Sequence, residues 1–218
     1  MLTISLIHPS RGRAEKARKT LDYWIEQSSG RVHIEHILSI DSSDNATPYM
    51  EQFSELPFSC GIQNDNTCVV EATNQAAKVS KGDILIYLSD DFKCPKHWDL
   101  LILEQIQNDK PQLLKVDDCL QKFDVAVLTI PIMNRKLYET LGYFWFPEYK
   151  SMFVDEDLFW TVNNNGWLYL AIDLKFPHEH HSLGMCENDT TYKQSEANWN
   201  QGKELYNKRK LEGFPLCI

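Results

Sequence analysis

A chain of 218 residues with 43% hydrophobic and 24% charged side chains carries enough apolar material for one sizeable core, and nothing in it reads as disordered. Its formal net charge of -9 argues against a general nucleic-acid or anionic-membrane binder, which needs a basic field; an anionic ligand would need a metal or a few placed cations such as Arg11 and Arg13. The six cysteines form no C-x-x-C pair and no zinc spacing, the opening apolar run is too short for a signal peptide, and the longest apolar stretch is too short for a bilayer. A soluble, cytoplasmic protein with reduced thiols and no membrane span is expected.

Residues 2–7 read as a first strand. Pro9 and Ser10 then lead into a helix with Ala14, Ala17, Leu21, Trp24 and Ile25 on one face. Residues 33–40 give a second strand ending at Asp41, followed by a polar loop over 41–45. A short strand is expected over 68–70, and a helix over 71–79 with Ala72, Gln75, Ala76 and Val79 inward. Next, Gly82 and Asp83 precede a continuous apolar run, residues 84–88, that drives into Ser89, Asp90 and Asp91. Such a run suits a strand covered on both faces, as in parallel sheets, whose carboxyl edge is where ligands bind. Two carboxylates at that edge repel each other and are costly to desolvate, so a cation beside them makes physical sense.

A helix over 98–106 follows, then a strand over 125–132, a short helix over 135–141 and an aromatic loop over 143–149. Residues 155–164 read as a helix, 167–172 as a strand, 178–189 as a polar loop and 190–211 as a long helix. Strands alternating with helices predict an α/β fold with a mainly parallel sheet. One domain over 1–218, with 190–218 a C-terminal helical extension, is the economical reading.

Clusters that could carry chemistry fall at strand ends and loops. They are His8 to Arg13, Asp41 to Asn45, Asp90 with Asp91, Asp155 to Asp157, and His178 to His181. Carboxylates mixed with imidazoles suit Mn²⁺ or Mg²⁺ beside phosphate oxygens better than a closed zinc site. Each cluster also has a plainer use: Asp155 can cap a helix, and the aromatic run can be core.

The order of these features resembles the family 2 type of GT-A glycosyltransferases. The likeness is carried by Pro9 to Arg11 after a strand, Asp41 ending a strand, Asn74 to Asp83, the strand closing in Asp90 and Asp91, the acidic helix start at Asp155 to Asp157, and the late His178 or His180. It implies a Rossmann-like, three-layer α/β/α sandwich. It also implies transfer of a sugar from a nucleotide-sugar donor, UDP-linked, to a hydroxyl acceptor such as a saccharide, with inversion. In that frame Asp91, with His178 or His180, holds Mn²⁺ or Mg²⁺. Pro9, Ser10, Arg11, Asp41, Asn74 and Asp90 bind the nucleotide sugar, and Asp155 takes the acceptor proton, with Asp157 in reserve. Val154 stands where the family usually has Glu, and Ser89 occupies the first position of its D-x-D motif. A nucleotidyltransferase, or a catalytically silent nucleotide-binding module on the same fold, is the alternative.

Overall fold

The apolar runs of the first half lie side by side in one sheet. The computed structural model describes residues 2–120, 122–179, 184 and 197–216. Among them the elements run β1 (Thr3–Ser10), α1 (Ala14–Gln27), β2 (His33–Asp41), α2 (Thr47–Phe53), β3 (Ser59–Asn64), α3 (Val69–Val79), β4 (Ile84–Tyr87), α4 (Trp98–Leu103), β5 (Leu113–Asp117), β6 (Ile132–Asn134), α5 (Arg135–Leu141), α6 (Val154–Asn164), β7 (Leu168–Lys175) and α7 (Trp199–Leu211).

The sheet order is β3-β2-β1-β4-β6-β5-β7. β3, β2, β1 and β4 pair in parallel, β6 is antiparallel to both neighbours, and β5 pairs β7 in parallel. Ile4, Leu6, Ile84 and Ile86 face a core closed by α1, α2 and α4, while Ile7, Ile37 and Leu85 face a second core closed by α3, α5 and α6. The strands are apolar on both sides because both sides are covered, each buried Leu or Ile contributing about 1.5–3 kcal/mol. This is the expected three-layer, mixed and mainly parallel arrangement.

Gly82 and Asp83 have local reasons to stand before β4. A Cβ on Gly82 would lie 2.7 Å from the Ser5 amide nitrogen, so no side chain fits there. Asp83 Oδ2 accepts a hydrogen bond from the Thr3 amide at 2.8 Å, tying the start of β4 to the start of β1.

Several expected elements differ. Residues 68–70 are not a strand; Cys68 is the N-cap of α3, whose buried face is Val70, Ala72, Thr73, Ala76 and Ala77, with Gln75 and Val79 turned to solvent. Of the strand expected over 125–132 only Ile132 belongs to a strand, at the start of β6. Pro131 has no N–H to give the sheet, and the Lys115 ammonium donates to the Val125 carbonyl, drawing that segment off into an irregular crossing. α2, β3 and β5 were not expected. The long helix expected over 190–211 is described only as α7, residues 190–196 lying outside the described ones.

Candidate active site

From β1 the chain steps outward to β2 and β3, then returns to the other side of β1 as β4. Helices therefore diverge between the carboxyl ends of β1 and β4, and an open α/β sheet leaves its ligand crevice at such a reversal. A cleft of about 430 Å³ lies there. Pro9, Ser10 and Arg11 border it as the chain leaves β1, Asp41 at the end of β2, Asp90 and Asp91 after β4, Asp155 in the first turn of α6, and His178 after β7. The fold thus gathers eight of the residues singled out in the sequence around one cavity.

The acidic turn is pinned from behind by α1. Thr20 Oγ1 donates to the Asp90 carbonyl at 2.7 Å and Trp24 Nε1 to the Phe92 carbonyl at 3.0 Å. On its other side residues 177–179 run antiparallel: the Lys93 amide donates to the Pro177 carbonyl at 2.8 Å and the Glu179 amide to the Asp91 carbonyl at 2.9 Å. That pairing brings His178 Nε2 to 3.4 Å from Asp91 Oδ2, with the imidazole edge-on to Phe92. A hard carboxylate oxygen and an imidazole nitrogen fit Mn²⁺ or Mg²⁺ that takes its remaining ligands from phosphate and water. Among the described residues no third His, Cys, Asp or Glu joins them. His180 lies outside the described residues.

At the other end of the cleft Asp41 Oδ1 accepts from the Ser43 amide at 2.7 Å, and Oδ2 stands 3.5 Å from an Arg11 guanidinium nitrogen. Asp155, which also lines the cleft, is desolvated, which raises its carboxyl above the usual range; its own amide and that of Glu156, at the helix N-terminus, oppose the rise, and Asp118 adds to it. Tyr87 stands among the acids: burial first, then Asp91, Asp90 and Asp155, push its phenol up, so it stays protonated. A partly exposed carboxylate with raised proton affinity, lining the same cavity as a cation-competent pair, is equipped for proton abstraction.

The sequence profile described as Glycosyl transferase family 2 matches residues 5–161, well over half of the chain. The chain belongs to this family. A search of curated protein sequences finds no match. Among solved structures, the family 2 chain is similar to TarS of S. aureus in complex with UDP-GlcNAc, with TM-score 0.61 and 14% identity over 80% of this chain and 57% of that one. It is also similar to the mannosyltransferase PcManGT of Pyrobaculum calidifontis in complex with GDP-Man and Mn²⁺, with TM-score 0.60 and 14% identity over 80% and 56%. A third is GalNAc-T7 with UDP, GalNAc and Mn²⁺, with TM-score 0.66 and 14% identity over 82% and 44%. The chain spans less than two thirds of the length of each, and the likeness is one of fold.

Two residues expected in the family 2 site are not brought to the cleft. Asn74 Oδ1 accepts from the amides of Phe144 and Trp145 at 3.0 and 2.9 Å, and its Nδ2 donates to the Trp145 carbonyl at 2.8 Å. It clamps the aromatic segment, of which Trp145 alone borders the cavity while Tyr143, Phe144, Phe146 and Tyr149 are core. Asp157 is buried, its oxygens taken by Arg209 and Tyr149. A carboxylate so engaged is not available to act as a base.

Other cleft residues escaped the sequence reading. Thr129, Lys150, Ser151 and Met152 come from irregular segments, and Asn198 from the N-cap of α7. Polar residues in loops carry no periodic signal. A Cβ on Gly202 would collide with the Met152 carbonyl oxygen, so α7 is seated directly against a segment that lines the cleft.

Proposed function

We propose that this protein transfers a sugar from a nucleotide-sugar donor, UDP-linked, to the hydroxyl of a saccharide acceptor, with inversion. One observation carries the reading: Asp91 and His178, 3.4 Å apart, share a single cleft with the partly exposed Asp155. TarS with UDP-GlcNAc and GalNAc-T7 with UDP and Mn²⁺ support a UDP-linked donor and a divalent cation. Bound between Asp91 and His178, Mn²⁺ or Mg²⁺ would act as a Lewis acid toward the departing diphosphate.

The chain's own residues have distinct tasks. Asp41 accepts from the nucleobase N–H, with Arg11 neutralising the carboxylate beside it. Arg13 and Lys150 add positive charge to the cleft for the diphosphate. Trp145 offers a flat apolar surface to a sugar ring. Asp155 accepts the proton of the attacking hydroxyl, a general-base contribution of about 10²–10⁴ in rate. Attack from the Asp155 side, away from the diphosphate, inverts the anomeric carbon. Asp155 is also the acid of its helix start that lines the cleft, whereas Asp157 is held by Arg209 and Tyr149, which supports assigning the base to Asp155.

The test is thermal unfolding with UDP, GDP and their sugars, each with Mn²⁺ and with chelator. A ligand at 100 times its Kd stabilises by about 2.7 kcal/mol. UDP should raise the Tm only when the cation is present, and UDP-sugar should be consumed when a saccharide acceptor is added. Absence of any nucleotide-dependent shift would overturn the proposal.

A further inference from the structure

We propose that His8 and His36 are positioning residues that hold Asp90 in one orientation, as a hydrogen-bond acceptor for hydroxyl groups of the nucleotide sugar. The inference rests on the nucleotide-sugar reading and extends it to two buried imidazoles that lie behind the cleft. Both rings are fully excluded from solvent. They sit on adjacent parallel strands in diagonal register, Leu6 facing His36 and His8 facing Leu38.

A hydrogen-bonded line crosses the sheet from its edge to the acid. His36 Nδ1 is 2.7 Å from Ser59 Oγ, His36 Nε2 is 3.0 Å from His8 Nδ1, and His8 Nε2 is 2.8 Å from Asp90 Oδ1. Burial, and then His8, push the His36 proton affinity well below its ordinary value, so this ring is neutral. Two ring nitrogens at 3.0 Å share one proton, and a carboxylate, which accepts, faces the other His8 nitrogen and calls for an N–H there. With His8 neutral, Ser59 donates to His36, His36 Nε2–H donates to His8, and His8 Nε2–H donates to Asp90. With His8 doubly protonated, the His36 tautomer reverses and His8 still donates to Asp90. Either way the proton at His8 Nε2 faces the carboxylate.

A second line reaches the other oxygen. The Arg13 amide donates to Tyr49 Oη at 3.1 Å, Tyr49 and Ser10 share a bond of 3.1 Å, and Ser10 Oγ donates to Asp90 Oδ2 at 3.1 Å. Burial raises the Tyr49 phenol to about 12, so its proton is available to Ser10. Both lines thus run toward Asp90, and the Thr20 hydroxyl holds its carbonyl. A carboxylate gripped at both oxygens cannot rotate. Its remaining lone pairs can only accept, which suits ribose or hexose hydroxyls and rejects phosphate oxygens. The bond that one ring nitrogen of an imidazole makes sets what the other nitrogen presents, and here that second nitrogen faces Asp90.

His36→Phe is the informative variant, because His36 already lies stacked on Phe53 with centroids 5.7 Å apart and only the polar link would be lost. In the wild-type protein without ligand, ¹⁵N imidazole spectra should show His8 protonated at Nε2; in His36→Phe that Nε2–H should exchange with solvent faster, the ring having lost its second anchor. UDP affinity in Mn²⁺ should fall about tenfold in His36→Phe and donor KM should rise with kcat changed less than twofold. His36→Gln, which keeps a side-chain N–H, should recover most of the loss. A wild-type His8 protonated only at Nδ1, or a His36→Phe protein binding UDP as tightly as wild type, would overturn the inference and leave the functional reading standing. A wild-type protein that binds no nucleotide would remove both. Should His36→Phe fail to fold, the wild-type spectra and His36→Gln still decide.

Discussion

Arg209 grips Asp157 across the seam between α6 and α7, donating from Nε at 2.6 Å and from Nη2 at 3.2 Å, with its guanidinium 3.5 Å from the Phe146 ring centroid. Both side chains are almost fully buried, and Tyr149 Oη adds a further bond of 3.0 Å. Removing one member leaves the other charged in the interior. Arg209→Met is therefore expected to cost about 3–5 kcal/mol, read from urea unfolding. Replacing both partners, Arg209→Met with Asp157→Leu, should cost much less than the two single losses summed. That double variant should still transfer sugar, which a catalytic Asp157 would forbid.

Asp155→Asn should separate stability from activity. The folded chain holds the Asp155 proton more tightly than the unfolded chain, because burial disfavours the anion. The associated stability is present below the unfolded carboxyl range near 3.9 and is lost as pH rises through the folded value, so at neutral pH the ionised group is a net cost. Asn removes that cost. The Tm at pH 7 should rise or hold while kcat falls about 10²–10⁴-fold. In the wild type the acidic limb of kcat should lie above the ordinary carboxylate range, since the base works only when deprotonated.

The acids at the sheet edge were legible because a continuous apolar run has one economical use, a strand covered on both faces, and its end is then a defined place. α1 was legible from its repeat of Ala14, Ala17, Leu21 and Trp24. β3 was not. It is an edge strand with a single neighbour and the sequence Ser-Cys-Gly-Ile-Gln-Asn, too polar for a pattern set by burial. The inward face of α3 was misread because Val70, counted as strand, is in fact the helix's first buried contact. Asp155 and Asp157 illustrate a harder limit. Both are acids in one helix start, and what separates them is Arg209, 52 residues further on, which only the tertiary fold supplies. His8 and His36 left little trace, because their strands hold other polar residues, Ser5 in β1 and Glu35 and Ser39 in β2, and only the fold shows which of them are linked to Asp90.

Removing the cation ligand should uncouple nucleotide binding from metal. Asp91→Ala is expected to abolish the Mn²⁺-dependent part of UDP stabilisation, leaving any residual binding insensitive to chelator. His178→Ala should weaken it by about 10- to 100-fold in apparent metal affinity, measured by titrating Mn²⁺ at fixed UDP. Equal Mn²⁺ dependence in Asp91→Ala and wild type would remove the carboxylate from the metal site.

Asn74→Ala tests the clamp on the aromatic wall. Three hydrogen bonds to the main chain of Phe144 and Trp145 would be lost, two of them from amides left in a buried segment. Each unsatisfied group costs about 1–3 kcal/mol, so a Tm lowered by several degrees is expected. Because Trp145 borders the cleft, the acceptor KM should rise about tenfold. UDP affinity should stay within twofold of wild type, since Asn74 does not reach the nucleotide end; an equal loss of UDP binding would return Asn74 to the donor site.

Stability should also depend on pH through His36. Its folded proton affinity is depressed by burial and by His8, whereas in the unfolded chain the ring protonates near 6.5. The unfolded state therefore binds an extra proton below that pH, and the stability His36 confers is complete above 6.5 and lost as pH falls toward the folded value. The slope for one group cannot exceed about 1.4 kcal/mol per pH unit. Urea midpoints of the wild type should decline from pH 7 to pH 5, and His36→Phe should flatten that decline even if it is less stable at pH 7. A variant whose midpoints fall as steeply as those of the wild type would place the acid sensitivity elsewhere in the fold.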